Sequence, residues 1–271
     1  MTRLAGGFAI RLFGLQIRVE AGSPAILDAL DRYLFPWLPR LPMASGGQTP
    51  ALAFRMEDRS DGIIIVRDDD TEITAQSVET GIPLLQSAID EAVVRRSSDV
   101  AFVHAGVVAA GHAAVLFPGI SHAGKSTLVA ELVRRGATYF SDEYAVIGVD
   151  GCVYPYPRAL MLRNGLPEQR AVLPVELAAT VGNSGVPPRL ILTLRYSEGE
   201  RFQVRKMTHG EALMILLQST PQVLADATHI FGLLSRVAGS AVTFDGVRGE
   251  ASQAADHIFA LVAQHTSEPQ P

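Results

Sequence analysis

Residues Gly119 to Ser126 read Gly-Ile-Ser-His-Ala-Gly-Lys-Ser, a match to G-x-x-x-x-G-K-S. That pattern makes a loop whose backbone amides turn inward around phosphate oxygens, followed by a helix whose positive end adds to the attraction. In such a loop the Lys125 ammonium sits on the β- and γ-phosphates, and the Ser126 hydroxyl reaches Mg²⁺. The candidate phosphate-binding residues are therefore Gly119, Ser121, His122, Ala123, Gly124, Lys125, Ser126 and Thr127. His122 is large for a tight bend; it either tolerates a left-handed conformation or touches phosphate directly. Of 23 basic residues only Lys125 and Lys206 are lysines. A planar guanidinium would not fit the slot that a compact ammonium fills, which accounts for a lysine here. The same stretch also approaches G-x-S-x-G, with Ser121 as an acyl-transfer nucleophile. Its fifth position is Ala123 rather than glycine, and that reading leaves Gly124-Lys125-Ser126 without a role.

A second chemical element lies 17 residues after Lys125, where Asp142-Glu143 follows a short apolar run. A carboxylate at the end of a strand beside a phosphate loop can hold Mg²⁺ or accept a proton from an attacking hydroxyl. A solvated acidic turn is the plainer alternative, and it suits Asp68-Asp69-Asp70 better. The histidines at 112, 209, 229, 257 and 265 have no metal-ligand spacing. Arg163 ends the apolar run Leu160-Met161-Leu162, and Tyr154-Pro155-Tyr156-Pro157 reads as a stiff connector or a wall of an acceptor groove.

The elements that must position these groups follow from periodicity. Residues 8 to 19 alternate in two phases around Gly14, as two short strands or one bulged strand. Ser23-Pro24 opens a helix that Pro36 and Pro39 end. Residues 40–50 form a loop, 52–66 a hairpin, and 78–96 a helix. Residues 1–98 thus make a small α+β unit. In 99–265, Val100–Ala109 and Ala113–Phe117 are strands, and the helix after the loop ends at Gly136. Thr138–Phe140 is a strand, 144–154 a hairpin, and 165–186 a loop. Strands at 190–196 and 202–204 flank a Glu198-Gly199 turn. Thr208 and Glu211 have capping-box spacing for a helix to Gln218. A helix at 222–237, a strand at 241–244, a helix at 252–264 and a frayed tail at 266–271 complete the chain.

Val103-His104-Ala105-Gly106-Val107-Val108, the loop Gly119 to Thr127, Glu131-Leu132-Val133-Arg134-Arg135-Gly136 and Ser141-Asp142-Glu143 together resemble HPr kinase/phosphorylase. The likeness is closer to the smaller HPr-kinase-related proteins, some of which accompany peptide-modification systems. It covers about residues 100–163. It implies an α/β fold with a mixed-sheet P-loop kinase core of the HPr kinase/PEP carboxykinase type. It implies a Mg²⁺- and ATP-dependent kinase acting on a hydroxyl, most naturally serine of a peptide or small protein. In the family a histidine before the loop and an acidic pair after it surround the transferred phosphoryl; these fall on His104, Asp142 and Glu143. The expected roles are Asp142, supported by His104, as proton acceptor, and Glu143 with Ser126 on the metal, Asp142 being the other metal candidate. The family's pair is Asp-Asp and its loop has glycine where this chain has His122. Residues 1–100 do not look like those of HPr kinase, so HPr itself is not the implied substrate. Kinases of this kind often form homo-oligomers.

Composition sets the remaining bounds. With 271 residues, 48% hydrophobic and 19% charged, the chain can bury a substantial core. Its formal charge of −5 argues against a general nucleic-acid binder. The single cysteine, Cys152, excludes an internal disulfide and a cysteine-cluster metal site. No stretch reads as a membrane span or signal peptide, so a cytoplasmic location is expected. Two other functions stand beside the kinase: a non-catalytic nucleotide-binding partner of a peptide-modifying complex, and a serine hydrolase using Ser121.

Overall fold

The computed structural model describes residues 4–41, 51–119, 124–163, 170–224 and 226–266. Two compact units divide at Ser98 and Asp99. In the first, β1 (Gly6–Leu12) and β2 (Leu15–Ala21) are separate antiparallel strands joined by a tight turn at Phe13-Gly14. Ser23 caps α1 (Pro24–Tyr33), its hydroxyl accepting from the Ile26 amide at 3.4 Å. Strands β3 (Leu52–Arg59), β4 (Gly62–Arg67) and β5 (Glu72–Ala75) extend the sheet in chain order, β2 and β3 being parallel. The last of these is too short and polar to stand out in the sequence. Helix α2 (Val78–Arg96) opens with a capping box at Ser77 and Thr80.

The second unit is a three-layer α/β structure with a mixed sheet. Its strands are β6 (Val100–Ala110), β7 (Ala113–Pro118), β8 (Thr138–Ser141), β9 (Tyr144–Gly148), β10 (Val153–Tyr154), β13 (Pro188–Tyr196), β14 (Gln203–Lys206) and β15 (Val242–Arg248). The spatial order is β10-β9-β6-β7-β13-β15-β14, with β8 also on β6. β7, β13 and β15 run parallel, whereas β6, β9, β10 and β14 are antiparallel to their neighbours. A separate pair, β11 (Leu160–Leu162) and β12 (Arg170–Val172), stands off the sheet. Helices cover both faces, which is why the central strands read as unbroken apolar runs. Val103, Val107, Leu116 and Ile191 pack against α4 (His209–Gln218) and α5 (Ala227–Ser240). Val108, Val115, Phe117, Leu190 and Leu192 pack against α3 (Lys125–Arg134) and α6 (Ala251–Thr266).

The strands flanking Glu198-Gly199 form as expected, with β15 lying between them in the sheet. Several other expectations need correction. β15 itself runs on to Arg248, past Asp245-Gly246, a turn-like pair held in the ladder opposite Val204 and Arg205. Residues 165–186 are not all loop: Arg170–Val172 forms β12 and Pro174–Leu177 a 3-10 turn. Helix α5 starts at Ala227, where the Asp226 carboxylate accepts from the His229 amide at 3.1 Å, with a separate 3-10 turn at Pro221–Leu224. Helix α6 continues through Thr266; the expected tail at 267–271 lies outside the described residues. Among the described residues no helix is long and apolar enough to cross a membrane.

Candidate functional site

The parallel strands β7, β13 and β15 end along one edge of the sheet, the edge where ligands bind in open α/β folds. The glycine-rich segment leaves β7 there. Ser121, His122 and Ala123 lie outside the described residues, together with the Ser121 hydrolase reading that depends on them. Gly124 begins the description again as the N-cap of α3, in the left-handed conformation (φ 75°, ψ 20°) and without a side-chain cap. A Cβ here would stand 2.6 Å from the Arg248 Nη2 atom. Only glycine meets both conditions.

The first turn of α3 (Lys125, Ser126, Thr127) lines a cavity of about 370 Å³ with His104, Asp142, Glu143, Arg158, Met161 and Arg163. A helix start leaves amides without intrahelical partners and carries partial positive charge. Added to Lys125, Arg158 and Arg163, this suits a polyanion. The Lys125 ammonium donates to the Gly119 carbonyl at 2.8 Å. Burial pulls its pKa below the usual lysine value, against the opposing pull of Glu143 and Asp142.

Helix α3 can lie so close to the sheet at Val129 because of Gly106 on β6. A Cβ there would come within 2.8 Å of Val129 Cγ2 and 3.7 Å of Lys125 Cβ. A glycine inside an apolar strand marks such an approach.

The acidic pair sits at a kink. β8 and β9 both run antiparallel to β6, Thr138 facing Ala109 and Gly148 facing Val100, so residues 138–148 form one long course broken at Asp142-Glu143. The Ser141 hydroxyl accepts from the amides of Glu143 and Tyr144 at 3.2 and 3.0 Å and fixes the break. The one irregularity of register in this course lies just before it, where Phe140 is the extra residue opposite Val107 and Val108; such bulges re-aim the side chains that follow them.

The two carboxylates then find different partners. Asp142, only 4% exposed, accepts from the Tyr139 hydroxyl at 3.0 Å and hydrogen-bonds the Ser126 hydroxyl. Burial raises its pKa above the ordinary carboxylate range; Arg158 and the Ser126 bond pull the other way. Glu143 pairs with His104, Nε2 to Oε1 at 2.9 Å. Burial pushes Glu143 up, yet the His104 bond and the charges of Arg158 and Lys125 outweigh it and hold the carboxyl below its ordinary value. The expected pairing of His104 with Asp142 is therefore replaced by His104 with Glu143 and Ser126 with Asp142. The kink separates the neighbouring side chains, sending one toward α3 and the other toward β6.

The Tyr-Pro-Tyr-Pro connector anchors this region. Tyr156 is buried, with its ring 6.1 Å from Phe102 and 6.5 Å from Tyr144, whose ring in turn lies 5.9 Å from His104. The connector delivers Arg158, whose carbonyl accepts from Tyr139 at 3.1 Å. Neither Arg158 nor Arg248 stands out in the sequence. Arg248, at the end of β15 and 2% exposed, donates to the carbonyls of Gly124 and Gly249 at 2.9 Å each. Its buried Nε has no hydrogen-bond partner among the described residues. The guanidinium lies 5.3 Å from the Tyr196 ring centre, and Tyr196 donates to Glu250 at 2.9 Å.

Among the described residues no group of three or more His, Cys, Asp or Glu side chains is placed to hold a metal ion. Ser126 and Asp142 instead offer two hard oxygens, a set that suits Mg²⁺ when phosphate oxygens and water complete the octahedron. No protein-family model matches the sequence, and a comparison with curated proteins finds no match.

Proposed function

We propose that this chain is a phosphotransferase of the HPr-kinase-like type, with a P-loop kinase core, moving the γ-phosphoryl group of ATP to a hydroxyl, on serine of a peptide or small protein. The observation that carries this reading is the convergence on one cavity of Lys125, Ser126, Asp142, Glu143 and His104, with Arg158 and Arg163 beside them.

Lys125 and the first amides of α3 hold the β- and γ-phosphates. Ser126 and Asp142 form the metal side. Mg²⁺ held there with the triphosphate would neutralise charge on the phosphate oxygens. Glu143, ionised and paired to His104, accepts the proton of the acceptor hydroxyl. The acceptor oxygen bonds to the γ-phosphorus as the bond to the β–γ bridging oxygen breaks, and the nucleoside diphosphate departs with that electron pair. Arg158 and Arg163 offset the charge spread over the equatorial oxygens. Little base strength is needed for such a loose transition state, so a carboxylate of lowered pKa serves.

Thermal unfolding with and without MgATP tests the donor site. At 100 times its dissociation constant a nucleotide stabilises the fold by about 2.7 kcal/mol. The wild type should shift and Lys125→Ala should not. Equal behaviour of the two, shifted or not, removes the phosphate loop as the foundation. A wild-type shift with no phosphoryl transfer to any hydroxyl acceptor favours the non-catalytic nucleotide-binding partner.

A further inference from the structure

His104 and Glu143 face two cavities. Besides the cationic one, a second opening of about 390 Å³ is lined by His104, Gly119, Glu143, Tyr144 and the turn Gln218–Pro221 that ends α4. The His104 amide donates to the Ser219 carbonyl at 2.7 Å, so this turn is tied directly to the site strand. The two openings differ in charge. Lys125, Arg158 and Arg163 all line the first, whereas among the described residues no lysine or arginine lines the second.

We propose that the second opening is the acceptor site and that it takes an uncharged or basic polypeptide segment presenting a hydroxyl, while rejecting an acidic one. This rests on the phosphotransferase reading. In-line transfer places the acceptor and leaving oxygens on opposite sides of the phosphoryl group. With the triphosphate held among the cations, the attacking hydroxyl must come from the other side of the His104–Glu143 pair. What it meets there is the Glu143 carboxylate and the C-terminal end of a ten-residue helix, which carries partial negative charge. An anionic residue next to the hydroxyl is repelled, and a lysine or arginine is drawn in.

Two measurements on the full chain decide it. The first is transfer from γ-labelled MgATP to a library of short peptides with a central serine and flanks that are basic, neutral or acidic. Basic and neutral flanks should exceed acidic ones, and Gln218→Lys, an exposed change suited to a helix C-terminus, should reverse the preference without altering the MgATP thermal shift. The second needs no turnover. With Cys152→Ser removing the native thiol, Ser219→Cys is treated with cationic and anionic methanethiosulfonates of equal size, each rate being normalised to a free thiol. The cationic reagent should react at least about tenfold faster. Labelling should then block peptide phosphorylation and leave the MgATP shift intact.

Transfer that favours acidic flanks, or an anionic reagent as fast as the cationic one, overturns the acceptor assignment and leaves the kinase reading standing. An intact MgATP shift with no transfer to any peptide overturns both.

Discussion

Burial holds the Asp142 carboxyl above its ordinary range, so the folded state keeps that proton to higher pH than the unfolded chain does. Between the two pKa values folding binds a proton, and stability falls as pH rises through that window. Asp142→Asn should remove this loss. Its melting temperature should exceed the wild type's at neutral pH, with the gap closing at pH below the ordinary carboxylate value; a constant gap across pH contradicts the assignment. The neighbouring carboxylate behaves oppositely. Glu143 titrates below its ordinary range, so its contribution is present at neutral pH and fades as acid protonates it. If Glu143 takes the acceptor proton, Glu143→Gln should lower transfer by about 10²- to 10⁴-fold, and the MgATP thermal shift should survive. At this scale the sequence was informative about which residues gather, because Lys125, Ser126, Asp142, Glu143 and His104 do line one cavity. It was silent on who pairs with whom, since that depends on a kink set by the Ser141 hydroxyl. Arg158 and Arg248 were illegible for a different reason: in a chain whose cations are nearly all arginine, a single arginine without local pattern carries no signal.

Among the elements, α3 and β6 bear most on the site, and Gly106 sets their separation. Gly106→Val would drive a branched side chain into Val129 and lift the lysine-bearing turn off the sheet. Overpacking of this kind costs about 1–3 kcal/mol. The variant should melt lower and bind MgATP more weakly, as calorimetry would show. Helix starts were readable at Ser23, Ser77 and Thr208, where the capping chemistry is local, but not at Asp226, whose cap the expected helix from 222 ran across. Strand order was not. Nothing in residues 190–204 announces that β15 will slide between β13 and β14, and the turn-like Asp245-Gly246 hides the second half of that strand. Small elements such as β5 and β12 exist through their partners rather than through their own apolar pattern.

On the scale of the whole molecule, the described residues lining both openings all belong to the unit beginning at Asp99. That unit has its own two-sided core, with helices on each face of the mixed sheet. A fragment of residues 99–271 should therefore fold cooperatively and retain the MgATP-dependent rise in melting temperature. Loss of that response in a folded fragment would assign residues 1–98 a part in nucleotide binding. The α/β class and the presence of strands and helices on either side of the loop were legible from apolar runs and their spacing. The first unit offered elements without chemistry, and its sheet is held by buried apolar side chains such as Ile10, Ile17, Phe54 and Ile65, which no motif reports.

Arg248 joins Gly124 across 124 residues of sequence. It does so from the last strand to be synthesised among those described, one that occupies an interior place in the sheet. A nascent chain that has already emitted residues 119–126 still lacks both the strand that completes that edge and the guanidinium that secures Gly124 at the start of α3. On the proposed phosphotransferase reading, competence for nucleotide would thus come late in translation. Prematurely terminated products should be unable to draw on the ATP pool, and ATP should act as a ligand of the finished sheet rather than as an early guide to its assembly.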